Sequence, residues 1–161
     1  MKKGYKLLIS VIFCLLAGGI GSLFTAASVN DWYTALVKPS FNPPSWLFGP
    51  VWTVLYVMMG VALYLVWAKA SAKEPMKGKR MKRAMGLFFT QLWLNILWSA
   101  LFFGLKNPLL ALIGIIALWM MILWTIISFY KIEKKAGYLL IPYILWVSFA
   151  AILNFAIVLL N

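Results

Sequence analysis

The residues best suited to chemistry in this chain lie inside its apolar stretches. Between 84 and 105, Gln91, Asn95, Trp98 and Phe102 follow at intervals of four, three and four, which puts them on one face of a helix. Between 138 and 160, Tyr143, Trp146, Ala150 and Asn154 repeat the pattern, and Trp52 and Tyr56 stand one turn apart between 46 and 68. Flat aromatic faces with a few amides suit the binding of an apolar, aromatic molecule. They do not suit proton transfer. The chain has no histidine, and its one cysteine, Cys14, falls in the first apolar run, where it reads as a small buried hydrophobe. Asp31, Glu74 and Glu133 are the only carboxylates, and all three fall between apolar runs. No ionisable acid is therefore expected at hydrocarbon depth to carry protons or ions. A metal-ligand cluster, a catalytic triad and a phosphate-binding loop are likewise missing from the sequence.

The elements that must position these residues follow from composition. Of the 161 residues 65% are hydrophobic and the mean hydropathy is +0.94, against roughly 45–50% apolar content in soluble domains. A helix needs about 20 mostly apolar residues to cross a bilayer. Five such runs are present, at about 7–27, 46–68, 84–105, 109–130 and 138–160, and they predict an all-α integral membrane protein, a single bundle of five transmembrane helices. The first run also resembles a signal peptide, with Lys2, Lys3 and Lys6 before it and Thr25-Ala26-Ala27 near its end. Its length exceeds the usual 7–15 residues, which favours a retained helix. Polar side chains at this depth turn towards the bundle interior, because lipid offers them no partner. The three stripes should therefore converge. Two readings of them stay open: Gln91, Asn95 and Asn154 as plain interhelical hydrogen bonds, typically worth about 0.6 kcal/mol, or as the polar points of a pocket. Nine tryptophans exceed what packing alone requires and favour the pocket.

Residues 28–45 carry Pro39, Pro43 and Pro44 and form a long connection for a bundle. Trp32, Tyr33, Leu36, Phe41 and Trp46 make this loop too aromatic for a solvated linker, so it is expected to fold over one end of the bundle as a lid. For Trp32 and Trp46 an interfacial aromatic belt is an equal alternative. Ala17, Gly18, Gly21 and Ser22, with Ala100 and Gly104, would allow close helix approach, within the chain or in a dimer. The basic residues divide unevenly between alternate ends. Three precede the first run, seven occupy 69–83 and three occupy 131–135, against Lys38 and Lys106 on the other side. That asymmetry predicts a cytoplasmic N-terminus and an outer C-terminus. It also reads the net charge of +12 as a topology signal and not as affinity for nucleic acid.

Four stretches together carry a resemblance. They are Trp32-Tyr33-x-x-Leu36-x-Lys38-Pro39-x-Phe41-x-Pro43-Pro44, Trp46-x-Phe48-Gly49-Pro50-x-Trp52-x-x-Leu55-Tyr56, Gln91-Leu92-x-Leu94-Asn95-x-x-Trp98-Ser99-x-Leu101-Phe102-Phe103, and Pro142-Tyr143-x-x-Trp146-x-x-Phe149-Ala150-x-x-Leu153-Asn154. The chain resembles the TspO/MBR family of tryptophan-rich sensory and translocator proteins. The resemblance implies a five-helix bundle, frequently a homodimer, whose first loop closes a pocket for porphyrins such as protoporphyrin IX and other hydrophobic small molecules, with no cofactor required. It carries Tyr33, Pro43, Trp52, Asn95, Phe102, Trp146 and Ala150 over as pocket residues, and the fifth-run stripe adds Tyr143. Lys38 would be a counter-charge for propionates. Two other activities stay open: light-dependent porphyrin degradation, in which Trp52 or Trp146 would donate an electron, and a ligand-free membrane scaffold. Mitochondrial relatives carry a cholesterol motif with a basic residue late in the fifth helix. This chain runs from Leu153 to Asn161 without one, which points to a bacterial member in the cell membrane; such motifs are weak in any case.

Overall fold

The computed structural model describes residues 3–69 and 75–161. Five helical segments in it are long and apolar enough to cross a membrane. Helix α1 (Lys3–Ser28) is followed by a short helix α2 (Trp32–Ala35) within the first loop, then by α3 (Ser45–Ala68). Helix α4 (Pro75–Ser99) continues through a π turn, Ala100–Gly104, and α5 (Pro108–Tyr130) returns across the bundle. The last span is broken into α6 (Lys134–Leu139) and α7 (Ile141–Leu160).

Local chemistry sets the boundaries. Pro44 stands at the N-cap of α3 with an extended backbone, and Asn107 caps α5 by accepting the Leu110 N–H at 3.0 Å. The third span begins at Pro75, well before the expected residue 84. Proline is tolerated at the first helical position, and the Met, Lys and Arg that follow are good helix formers, so the helix begins before the apolar run does. The expected basic loop is thereby shortened, and part of it, 70–74, lies outside the described residues. The fifth span also begins early, at Lys134, where Glu133 caps it through the Lys135 N–H. It breaks at Leu140 because Pro142 has no N–H to continue the ladder.

Around the bundle α1 lies between α3 and α4, α5 between α4 and α7, and α6 fills the gap between α5 and α3. Helix α3 packs on α6 but scarcely on α7, so the two spans diverge towards the first loop. Close approach on the α1 side uses glycine. A Cβ at Gly60 would strike the α1 backbone at Val11, one at Gly18 would strike the Tyr56 ring, and one at Gly104 would press on Phe24. Those small residues therefore serve packing within the chain. At the basic end the core is solid: Met59, Ala62, Val66, Phe88, Ile122 and Phe129 are buried, with the Phe88 and Phe129 rings stacked at 5.5 Å and 10°.

Candidate functional site

Where α3 and α7 part, the bundle holds a cavity of about 520 Å³. Its walls are α1 (Leu15, Gly18, Gly21, Ser22), α3 (Phe48, Trp52, Tyr56), α4 with its π turn (Asn95, Trp98, Phe102, Phe103) and α7 (Trp146, Ala150, Leu153, Asn154), with Tyr33 contributed by the first loop. Tyr33, Trp52, Asn95, Phe102, Trp146 and Ala150, all expected as pocket residues, are brought together here. The rings are set edge to face or tilted: Trp52 to Tyr56 at 5.7 Å, Phe48 to Trp146 at 6.0 Å, Trp32 to Phe102 at 5.5 Å. Trp98 and Phe102 stack at 5.5 Å. Such geometry is favourable between aromatic quadrupoles and leaves faces free.

The π turn explains two of these residues. An i→i+5 bond from Leu105 N–H to the Ala100 carbonyl (2.8 Å) widens the helix, so Phe102 and Phe103, neighbours in sequence, both reach the cavity. Ser28 at the end of α1 fastens the turn by donating to the Phe103 carbonyl at 2.7 Å. Lys106, in the left-handed region at φ 52°, then ends the helix.

Tyr143 does not line the cavity. It lies fully buried beneath it and joins a relay of hydrogen bonds: Tyr56 Oη donates to Asn95 Oδ1 at 2.6 Å, Asn95 Nδ2 donates to Tyr143 Oη at 2.8 Å, and Tyr143 Oη donates to Gln91 Oε1 at 2.8 Å. Its ring also meets Trp52 edge to face at 6.2 Å. The helical stripe placed Tyr143 on the right face, but one turn too deep to reach the space. It is a positioning residue, forming the floor together with Gln91. Asn154 is fixed differently. It accepts from Trp98 Nε1 at 3.2 Å and donates to the Pro108 carbonyl at 2.8 Å, so it holds one wall and lines it as well. Asn95 likewise both packs and faces the cavity, which merges the two readings left open by the sequence. Trp146 differs from the other polar side chains: among the described residues its buried Nε1–H meets no acceptor.

Over this space runs the expected lid, with α2 inside it. Tyr33 Oη donates to Asn42 Oδ1 at 2.9 Å. Burial pushes the Tyr33 phenol above its ordinary pKa and the Asn42 bond pulls it back only in part, so the group stays neutral at physiological pH. Pro43 stands outside the lining; its carbonyl accepts from Asn42 Nδ2 at 3.1 Å, and it serves to turn the chain into α3. Lys38 is also outside the lining. Its ammonium donates to the Thr34 and Leu36 carbonyls (3.2 and 3.0 Å) and lies 5.0 Å from the centre of the Tyr33 ring, so it stiffens the lid and does not reach into the cavity. The far edge of the lid is tied to α7. Val37 N–H donates to Asn161 Oδ1 at 3.0 Å, and Asn161 Nδ2 donates back to the Val37 carbonyl at 2.9 Å.

Among the described residues, the lining offers indole, phenol, amide and hydroxyl groups and no carboxylate, amine or imidazole. It suits the enclosure of a flat apolar body with a few hydrogen bonds. Phe48, Phe103, Leu153 and the α1 residues were not singled out as site residues from the sequence. Phe48 and Phe103 stand inside the quoted motifs, which was the available signal, whereas Gly18, Gly21 and Ser22 gave only a packing signal.

Comparison with known proteins agrees with this architecture. The pattern of the TspO/MBR family matches residues 10–160. The chain is 49% identical to the tryptophan-rich protein TspO of Archaeoglobus fulgidus over 97% of both chains, and 46% identical to that of Chlorobaculum tepidum over 99% of this chain and 98% of the other. It is 34% identical to the translocator protein of Homo sapiens over 86% of this chain and 79% of the human one. With the match running through the lid, the π turn and all five spans, the chain belongs to the TspO/MBR family.

Proposed function

We propose that the protein binds porphyrins of the protoporphyrin IX type, and other flat apolar molecules, in the cavity beneath the lid, acting as a sensor or carrier of tetrapyrroles in the membrane. The observation that carries this reading is the cavity of about 520 Å³ walled by Phe48, Trp52, Trp98, Phe102 and Trp146. Its size falls within the roughly 300–1,000 Å³ of small-molecule sites, and its lining is mostly apolar with a few polar points, as such sites are. Titration of the purified protein with protoporphyrin IX should quench tryptophan fluorescence saturably at one equivalent per chain. Linear, non-saturating quenching would leave the aromatic interior as packing alone.

The same titration, repeated under illumination, separates binding from light-dependent degradation. Survival of the porphyrin absorbance supports the binding protein. Its loss with wild type, and not with Trp52→Phe or Trp146→Phe, would make these side chains electron donors to the excited ring. The proposed orientation, with the basic end of the bundle in the cytoplasm, rests on the charge asymmetry. In intact cells a cysteine placed at Ser40 of the lid should react with an impermeant thiol reagent, and one at Ser71 should not; the reverse pattern would invert the bundle.

A further inference from the structure

At the opposite end of the molecule from the lid, a groove of about 470 Å³ opens between the start of α4 and the end of α5. It is lined by Arg80 and Arg83 from α4, and by Trp124, Ile127, Ser128 and Lys131 from α5, with Ile132 just beyond. The spacing explains the composition. Arg80 and Arg83 are three apart on α4, while Trp124, Ile127 or Ser128, and Lys131 repeat at three or four along α5, so each helix gives one face to the same groove. The arrangement is graded along the membrane normal. Its three cations gather at the helix ends, and Trp124, 49% exposed, stands two turns or about 10 Å deeper into the apolar region.

Among the described residues, the charges lining this groove are of one sign. Glu133, the carboxylate nearest in sequence, is engaged elsewhere: it pairs with Lys69 at 3.1 Å, and that neighbour holds its carboxyl below the usual range. Basic residues at helix ends ordinarily extend singly into water. Here two guanidinium groups and an ammonium border one concave space, next to a serine hydroxyl and with an apolar floor leading into the bilayer. Guanidinium groups bind phosphate oxygens in pairs, and an indole beside them suits the glycerol and first methylenes of an acyl chain.

We propose that this groove is a binding site for one anionic phospholipid, whose phosphate lies among Arg80, Arg83 and Lys131 while its acyl chain runs over Ile127 and Trp124. The test is native mass spectrometry of the full chain released from micelles doped with phosphatidylglycerol and phosphatidylcholine in equal amounts. Wild type should retain phosphatidylglycerol over phosphatidylcholine by at least about tenfold, since each basic residue near an anionic surface contributes several-fold. Arg80→Gln with Arg83→Gln and Lys131→Gln should abolish the preference. A second triple variant, Lys79→Gln with Lys82→Gln and Lys134→Gln, removes the same charge outside the groove and should keep most of it. Trp124→Ala should release both lipids more readily with the preference unchanged. Circular dichroism of each variant checks that helix content is intact. Equal loss in the two triple variants would replace the site by a diffuse basic belt, and no preference in wild type would remove it altogether. Displacement of the lipid by millimolar glycerol phosphate or inorganic phosphate would reduce it to a free-phosphate site and overturn the lipid assignment.

Discussion

The two ends of this bundle are built from the same kinds of residue and do opposite things with them. At the basic end Phe88, Phe129, Met59 and Val66 fill the space between α3, α4 and α5, with α6 closing the gap. At the lid end Trp52, Trp98, Phe102 and Trp146 stand around an opening. Aromatic content is equal in kind, so it is not what makes a cavity. The difference lies in backbone spacing: α6 lies against α3, and after the break at Leu140 α7 leads away from it. Between the two regions lies the relay from Tyr56 through Asn95 and Tyr143 to Gln91, which is floor to one and ceiling to the other. A pocket here is a parting of two helix backbones, spanned by ring contacts and stabilised by hydrogen bonds at the point where they separate.

The largest effects are expected at the walls of the cavity. Stacking contributes about 0.5–1.5 kcal/mol beyond burial, itself about 25 cal/mol per Å². Trp52→Ala and Trp146→Ala should therefore each lower protoporphyrin affinity at least about tenfold, taking 1.4 kcal/mol per decade. Trp67→Ala, at the basic end where Lys6 lies 5.1 Å from the ring centre, should leave affinity nearly unchanged. Equal affinities by fluorescence titration across the three variants would move the site away from the lid end.

A smaller effect separates floor from wall. Tyr143→Phe removes one bond to Asn95 and one to Gln91, and at about 0.6 kcal/mol per membrane hydrogen bond it should cost roughly 1 kcal/mol of stability. Its effect on porphyrin affinity should be weaker than that of either wall tryptophan. A tenfold loss of affinity at unchanged melting temperature would show that Tyr143 touches the ligand after all. Smallest is the lid. Replacing Pro43 and Pro44 with Gly frees the unbound loop at roughly 0.4–1 kcal/mol per position, so affinity should fall severalfold with helix content constant. No change in the titration would make the loop a bystander to binding.

Much of this was readable in the chain, for reasons that also mark where reading stops. The five spans are legible because lipid demands long apolar runs. The start of α4 was not, because Lys79, Arg80, Lys82 and Arg83 carry no hydropathy and helix propensity without burial is a weak signal. Within the site, helical spacing correctly put Asn95, Trp98 and Phe102 on one face. It gave no depth, so Tyr143 was placed in the cavity when it lies below. Phe103 was missed because regular α spacing turns it away from Phe102, and only the π turn brings it back. Lys38 looked available because charge is visible in sequence and the carbonyls of Thr34 and Leu36 that engage it are not.

The amide of Asn161 gives the lid a clock. Because it grips both the N–H and the carbonyl of Val37, and donates also to the Ile157 carbonyl at 2.9 Å, the loop edge cannot lift without breaking two bonds to one side chain in a single event. Closing loops and lids move on microseconds to milliseconds, and here the side chain that holds the loop edge also bonds the last turn of α7, one turn from Leu153 and Asn154 on the cavity wall. One side chain thus ties the loop edge to the helix that carries Leu153 and Asn154. Relaxation dispersion at the Val37 amide tests whether release of the loop edge falls on that timescale.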